Sequence, residues 1–126
     1  MKIFGNKEKF GFELEDEKIG GLLPMEIYAA NISLTPFDKN AYLPSFIVSM
    51  EHELEVISRG NISESFIYFS HGPTTDDVHG KIELSNGLAK LDFEFDEQRI
   101  VSVKISIAEL IDIYSKTLDC LRELNA

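Results

Sequence analysis

The sequence predicts an α+β fold, with a largely antiparallel sheet and two amphipathic helices packed on one face of that sheet. Two apolar stripes at helical spacing, beginning at Leu43 and at Ile107, predict the helices. Segments of alternating apolar and polar residues predict strands that mostly follow one another directly, which favours antiparallel pairing. A chain of 126 residues that is 44% hydrophobic can bury one core, so we expect a single domain over residues 1–126.

The first two predicted strands lie near the N-terminus. In residues 9–15, apolar side chains (Phe10, Phe12, Leu14) alternate with glycine or glutamate, and the glutamates Glu13 and Glu15 therefore share one face. Gly20-Gly21 interrupts the pattern before a second apolar stretch over residues 25–34. We expect these two strands to pair antiparallel.

The first predicted helix has Pro44 in its first turn and ends near Gly60-Asn61. Its apolar stripe consists of Leu43, Phe46, Ile47, Met50, Leu54 and Ile57. The second helix opens with a capping box formed by Ser106 and Glu109. Its stripe consists of Ile107, Leu110, Ile111, Tyr114, Leu118 and Leu121. Two matched stripes imply two helices on one sheet.

Four further strands are predicted between the two helices, over residues 66–70, 81–85, 89–95 and 99–105. The apolar run at 66–69 indicates a central strand. Asn86-Gly87 predicts a tight hairpin between the strands at 81–85 and 89–95, because both residues tolerate a positive φ.

The charge of the chain points to a positively charged partner. Twenty-two acidic and twelve basic residues give a formal net charge of −10, which disfavours nucleic acid and anionic membranes. Asp92, Glu94 and Asp96 alternate with apolar residues and are expected to form a carboxylate row on the solvent side of a strand. Glu13 and Glu15 are expected to extend this row if the two strands lie together.

A competing acidic surface is expected on the first helix. Glu51, His52 and Glu55 lie away from the apolar stripe, beside the valines Val48 and Val56. An apolar ridge with an acidic border suits a protein contact, although packing of another part of the chain would explain the valines equally well.

No nucleotide-binding, hydrolase or metalloprotease motif is present, so we expect no enzymatic activity and no cofactor. The alternative is a metal site in the segment that contains His71, Asp76, Asp77 and His79, whose spacing matches no established ligand pattern. The lone Cys120 is expected to be a small residue at the edge of the core. Neither a long apolar run nor a signal-peptide start is present, so we expect a cytoplasmic protein.

Two segments carry a family resemblance: Ile3-Phe4-Gly5 followed by residues 9–15, and residues 27–38 leading into the first helix. They resemble small bacterial immunity proteins of polymorphic-toxin and contact-dependent growth inhibition systems. The resemblance covers about residues 3–60 and carries over no individual site residue. It implies a small cytosolic protein that binds one toxin domain, often a basic nuclease, and blocks its active site.

We therefore expect an immunity protein that neutralises a basic toxin with an acidic surface. The candidate contact residues are Asp92, Glu94, Asp96, Glu13, Glu15, Glu51, His52 and Glu55. An acidic secretion chaperone for an effector protein is the main alternative. Such chaperones begin with an amphipathic helix, whereas residues 1–15 of this chain read as strand. A metal-dependent enzyme that uses the segment from His71 to His79 is a further alternative.

Overall fold

Two antiparallel sheets and two helices make up the part of the chain described by the computed structural model, residues 1–35, 39–59, 66–69, 78–96 and 99–126. Sheet I contains β1 (Lys2–Asn6), β2 (Phe10–Leu14), β3 (Leu22–Ala29), β4 (Ile32–Ser33) and β5 (Asn40–Tyr42). Sheet II contains β6 (Phe66–Phe69), β7 (His79–Ser85), β8 (Leu88–Asp96) and β9 (Arg99–Ser106). The helices are α1 (Leu43–Arg59) and α2 (Ile107–Asn125). The α+β class and the antiparallel pairing are confirmed.

Sheet I is built around β3, which pairs with β2 on one side and with β4 and β5 on the other. The predicted antiparallel pairing of the strands at 9–15 and 25–34 is confirmed. Residues 1–15, which read as strand, form two paired strands, β1 and β2, and β5 was not predicted. The single strand predicted over residues 25–34 is wrong, because the chain turns at Ala30 and Asn31, which have φ values of 50° and 64°. Asparagine adopts this left-handed conformation more readily than most residues.

Sheet II has the strand order β6-β7-β8-β9, and each neighbouring pair is antiparallel. The hairpin at Asn86-Gly87 is confirmed, with φ values of 51° and 78°. The prediction that the strand beginning at Phe66 is central is wrong, since β6 lies at one end of this strand order. The prediction of one sheet is also wrong. Alternation shows which side chains share a face of a strand, but it does not show which strands pair.

Both helices follow their predicted apolar stripes. Leu43, Phe46, Met50 and Ile57 of α1 are buried, whereas Leu54 is only partly buried. α1 ends at Arg59, and the predicted stop at Gly60-Asn61 lies outside the described residues.

At the start of α2 the backbone N–H of Glu109 donates to Ser106 Oγ over 3.1 Å, which confirms the Ser106 half of the predicted capping box. The Glu109 carboxylate lies 3.9 Å from Lys9 Nζ. Cys120 is buried at the edge of the core, as predicted.

A cluster of four aromatic rings joins the two sheets to α2. Phe10 of β2 stacks on Phe93 of β8, with ring centroids 6.2 Å apart and an interplanar angle of 1°. Tyr114 of α2 stacks on Phe10 at 6.4 Å and meets Phe12 edge-to-face at 5.8 Å. All four side chains are fully buried. The inner faces of both sheets therefore share one core with α2.

A buried hydrogen bond links the two helices at the edge of this cluster. The Tyr114 hydroxyl donates to Glu53 Oε1 over 2.7 Å, and Glu53 is only 2% exposed. Burial, with the nearby Glu53 carboxylate, raises the pKa of Tyr114 well above its usual value. Glu53 lies within the predicted first helix, but the sequence pattern did not predict its burial.

We expect Tyr114→Phe to lower the free energy of unfolding by about 1–3 kcal/mol, because Glu53 loses a hydrogen-bond donor in a buried position. Urea unfolding followed by circular dichroism measures this change. Tyr42→Phe is the matched control, since Tyr42 is 56% exposed and should change stability by less than about 0.5 kcal/mol. Equal effects of the two substitutions would contradict a stabilising role for the Tyr114–Glu53 hydrogen bond.

The same tyrosine predicts a loss of stability in alkali. A pKa raised by folding means that the folded state holds the Tyr114 proton more tightly than the unfolded chain does. The contribution of Tyr114 to the free energy of unfolding is therefore complete below about pH 10 and is lost as the pH rises further. Urea unfolding between pH 9 and pH 11.5 should therefore show a shallower decline for Tyr114→Phe than for Tyr42→Phe. Parallel declines would show that other groups cause the alkaline loss.

Candidate functional site

The acidic residues predicted as contact sites lie on three separate surfaces. Glu13 and Glu15 belong to sheet I, whereas Asp92 and Glu94 face outward from sheet II. The two strands do not lie together in one sheet, so Glu13 and Glu15 do not extend the row formed by Asp92 and Glu94. Asp96 ends β8, and its side chain lies outside the described residues.

The outer face of sheet II contains a groove of about 450 Å³, which we call the mixed-charge groove. Ile100, which is 66% exposed, supplies an apolar surface there. The charged and polar residues that line it are His79, Lys81, Lys90, Asp92, Glu94 and Ser102. The groove thus contains the predicted carboxylates together with two lysines.

Two lysines and a serine surround Asp92 of the predicted carboxylate row. Lys81 of β7 and Ser102 of β9 lie opposite Asp92, and Ser102 Oγ donates a hydrogen bond to Asp92 Oδ1. Lys90 Nζ is 3.8 Å from Asp92 Oδ2. Glu94 has no ion-pair partner among the residues described, and His79 and Ile100 lie opposite it. The two-residue turn at Asn86-Gly87 fixes this register, so Lys81 opposite Asp92 could have been predicted from sequence.

The acidic surface on α1 is neutralised by arginines. Glu51 Oε2 lies 2.8 Å from an Arg122 guanidinium nitrogen, and Glu55 pairs with Arg59 one turn along the same helix. His52 is exposed, and Val48 is 65% exposed. The Glu51–Arg122 pair depends on how α1 packs against α2, so the helical pattern alone could not show it.

The outer face of sheet I holds two glutamates directly opposite each other, Glu13 on β2 and Glu26 on β3. Like charges in this position repel, and a lysine lies beside each of them. Lys7 Nζ is 2.9 Å from Glu13 Oε2, and Lys39 Nζ is 2.5 Å from Glu26 Oε1. The Tyr28 hydroxyl also donates to Glu26.

These contacts shift two titrations in opposite directions. The Lys39 ammonium group, followed by the Tyr28 hydroxyl, lowers the pKa of Glu26. The hydrogen bond to Glu26, together with burial, raises the pKa of Tyr28 to about 12. Lys7 Nζ lies 4.7 Å from the centroid of the Tyr28 ring, which adds a cation–π contact. Glu26 is thus held as a carboxylate, and Lys7 and Lys39 fix the arrangement of the two glutamates.

A pocket of about 220 Å³ opens beside these glutamates, and we call it the carboxylate pocket. Three carboxylates, those of Glu13, Glu15 and Glu26, line it together with Lys39, Pro24, Met25 and Met1. The backbone N–H of Glu15 donates to the Pro24 carbonyl over 3.0 Å, which continues the pairing of β2 with β3 by one residue. This contact places Glu15 beside the pocket.

A second depression of about 510 Å³ adjoins the carboxylate pocket and shares Glu15 and Pro24 with it. Asp16, Glu17 and Ile19 complete its lining. Asp16 binds the Met1 α-amino group, which lowers the pKa of its carboxyl. Glu15 and Glu17 have no ion-pair partner within the described ranges. We call the carboxylate pocket and this depression together the acidic surface of sheet I.

Asp16, Glu17 and Glu26 were not predicted as contact residues. Two signals were available: four of the five residues from Glu13 to Glu17 are acidic, and Glu26 alternates with apolar residues in the second strand. Neither signal could show that the two groups of carboxylates meet across neighbouring strands.

Of the four residues in the hypothesised metal site, the structure describes His79. His71, Asp76 and Asp77 lie outside the described residues. His79 begins β7 and faces the mixed-charge groove rather than lying in a loop. Within the described ranges, no three His, Cys, Asp or Glu side chains are grouped as metal ligands.

No helix among the described residues has the length and apolar character needed to cross a membrane. Comparison of the chain with protein-family models, curated proteins and solved structures finds no match.

We expect Lys39→Met to raise the pKa of Glu26, because it removes the main group that favours the carboxylate form. NMR titration of the Glu26 carboxyl carbon measures this change. Tyr28→Phe should raise the same pKa by less, and the exposed Lys104→Met should leave it unchanged. A larger effect from Tyr28→Phe than from Lys39→Met would contradict the assigned order of causes.

Proposed function

We propose that this chain is an immunity protein that binds and neutralises a basic bacterial toxin domain in the cytoplasm. The observation that carries the proposal is the acidic surface of sheet I, where Glu15 and Glu17 have no ion-pair partner among the described residues and Glu15 lines the three-carboxylate pocket. A partner that brings lysine or arginine to this surface would supply the missing counter-charges. The protein acts by covering the toxin's substrate-binding site, without chemistry of its own.

The net charge of −10 supports a basic partner. Surfaces of opposite charge increase the rate of association by roughly 10- to 1,000-fold at low salt. Rapid capture suits a protein that must neutralise a toxin before the toxin reaches its substrate. The resemblance of residues 3–60 to immunity proteins of polymorphic-toxin systems supports the same proposal.

The sheet I surface is the better candidate among the three acidic surfaces. On sheet II, Lys81 and Lys90 share the groove with Asp92 and Glu94. On α1, arginines bind Glu51 and Glu55. The residues with the most uncompensated negative charge are therefore those that follow β2.

The first experiment is co-expression of this chain with the C-terminal domain of the protein encoded immediately upstream. We expect the cells to survive and the two proteins to co-purify. Toxicity without rescue, together with no binding of the purified proteins, would overturn the proposed function.

The second experiment compares three double charge reversals that each change the net charge from −10 to −6. We expect Glu15→Lys/Glu17→Lys to lower the association rate about 10-fold or more and to weaken its dependence on salt. The association rate should change by less than about 3-fold in each of the other two variants, Asp92→Lys/Glu94→Lys and Glu51→Lys/Glu55→Lys. Surface plasmon resonance at several salt concentrations measures the association rates of all three variants. Equal effects of the three variants on the association rate would show that only the net charge matters. A dominant effect of Asp92→Lys/Glu94→Lys would place the contact at the mixed-charge groove.

A further inference from the structure

Sheet I carries exposed apolar side chains at the N-terminal end of β3. Ile19 is 76% exposed, Leu22 is 41% exposed and Tyr42 is 56% exposed. We call these three residues the apolar row. Leu22 pairs directly with Tyr42 across β3 and β5, and Ile19 pairs with Leu22 across a tight turn. Neighbouring exposed apolar side chains of this size are typical of protein contact sites.

The turn that presents Ile19 is closed by backbone hydrogen bonds. The N–H of Ile19 donates to the Leu22 carbonyl over 2.8 Å, and the N–H of Leu22 donates to the Ile19 carbonyl over 3.1 Å. Gly20 and Gly21 between them have φ values of 59° and 85°, which glycine adopts without steric cost. Ile19 is therefore held outward by a two-residue hairpin turn.

The apolar row and the carboxylates lie on the same side of sheet I. Leu22, Pro24 and Glu26 occupy alternate positions of β3 and face outward, while Leu23 and Met25 are buried. Residues two apart along a strand are separated by about 7 Å, so Leu22 and Glu26 are about 13 Å apart. Pro24 lies between them and lines both parts of the acidic surface of sheet I.

The charges around Ile19 decide what kind of partner fits. Ile19 lines the same depression as Glu15, Asp16 and Glu17. A second copy of this chain would bring the same carboxylates towards each other. A protein surface that carries an apolar side chain bordered by lysine or arginine would instead match both the apolar row and its acidic border.

We propose that the apolar row is the hydrophobic anchor of the toxin interface. It contacts an apolar side chain of the toxin, and basic residues of the toxin flank that side chain. This inference rests on the proposed function and specifies the chemistry of the partner. The carboxylates accelerate encounter, and the apolar row slows dissociation. Tyrosine is one of the residues enriched at binding hot spots, and a polar rim around an apolar centre is typical of protein interfaces.

The test uses the purified chain and the toxin domain encoded immediately upstream, with rates measured by surface plasmon resonance. Ile19→Ala/Tyr42→Ala should increase the dissociation rate about 10-fold or more, while the association rate and its salt dependence stay within about 2-fold of the wild type. Val48→Ala/Leu88→Ala is the matched control, because it also truncates two exposed apolar side chains. Tyr42→Phe keeps the ring, and both it and the control should retain wild-type rates. Circular dichroism confirms that each variant is folded.

The outcomes separate this inference from the proposed function. An unchanged dissociation rate for Ile19→Ala/Tyr42→Ala, with weaker binding by Glu15→Lys/Glu17→Lys, would overturn the anchor and leave the proposed function standing. Absence of binding by the wild-type chain would overturn the proposed function and, with it, the anchor. Sedimentation that shows a wild-type dimer and a monomeric Ile19→Ala/Tyr42→Ala variant would also overturn the inference, because a second copy would then occupy the apolar row.

Discussion

The stacking of Phe10 on Phe93 is the contact on which the rest of the architecture depends. These rings come from different sheets, lie 6.2 Å apart and are nearly parallel, and Tyr114 of α2 stacks on Phe10 from the same core. Each ring is fully buried. Because buried aromatic pairs combine a large apolar area with a preferred geometry, this contact fixes how sheet I, sheet II and α2 lie against one another. The Glu53–Tyr114 hydrogen bond then links α1 to the same assembly.

The inner faces of both sheets are buried in the shared core, so the two sheets differ in the charges that their outer faces carry. On sheet II the cross-strand register places Lys81 opposite Asp92, Lys90 lies beside Asp92 on the same strand, and the charges largely cancel. On sheet I the register brings Glu13 opposite Glu26, and Glu15 follows at the end of β2. The same kind of strand pattern thus yields a balanced face and a negatively charged one. Strand partners, more than strand composition, determine the electrostatics of each face.

The features of the sheet I surface contribute little to holding the fold together. Exposed ion pairs are worth about 0–1 kcal/mol, and Glu15 and Glu17 form no ion pair within the described part of the chain. Exposed Ile19 and Tyr42 likewise leave apolar area in water that a folded core would bury. A surface that combines unneutralised charge with exposed apolar groups is better accounted for by a partner than by folding. The proposed binding of a basic toxin assigns both features to one interface.

By itself, the sequence determined the α+β class, the two helices and the Asn86-Gly87 hairpin, because helical spacing, alternation and turn chemistry are local properties. It also showed which side chains share a face, such as Phe10 with Phe12. Only the tertiary structure decided that the strands form two sheets, that Arg122 binds Glu51 and that Glu53 is buried. These outcomes depend on contacts between residues far apart in the chain, and no local pattern records which distant strand or helix will supply the partner.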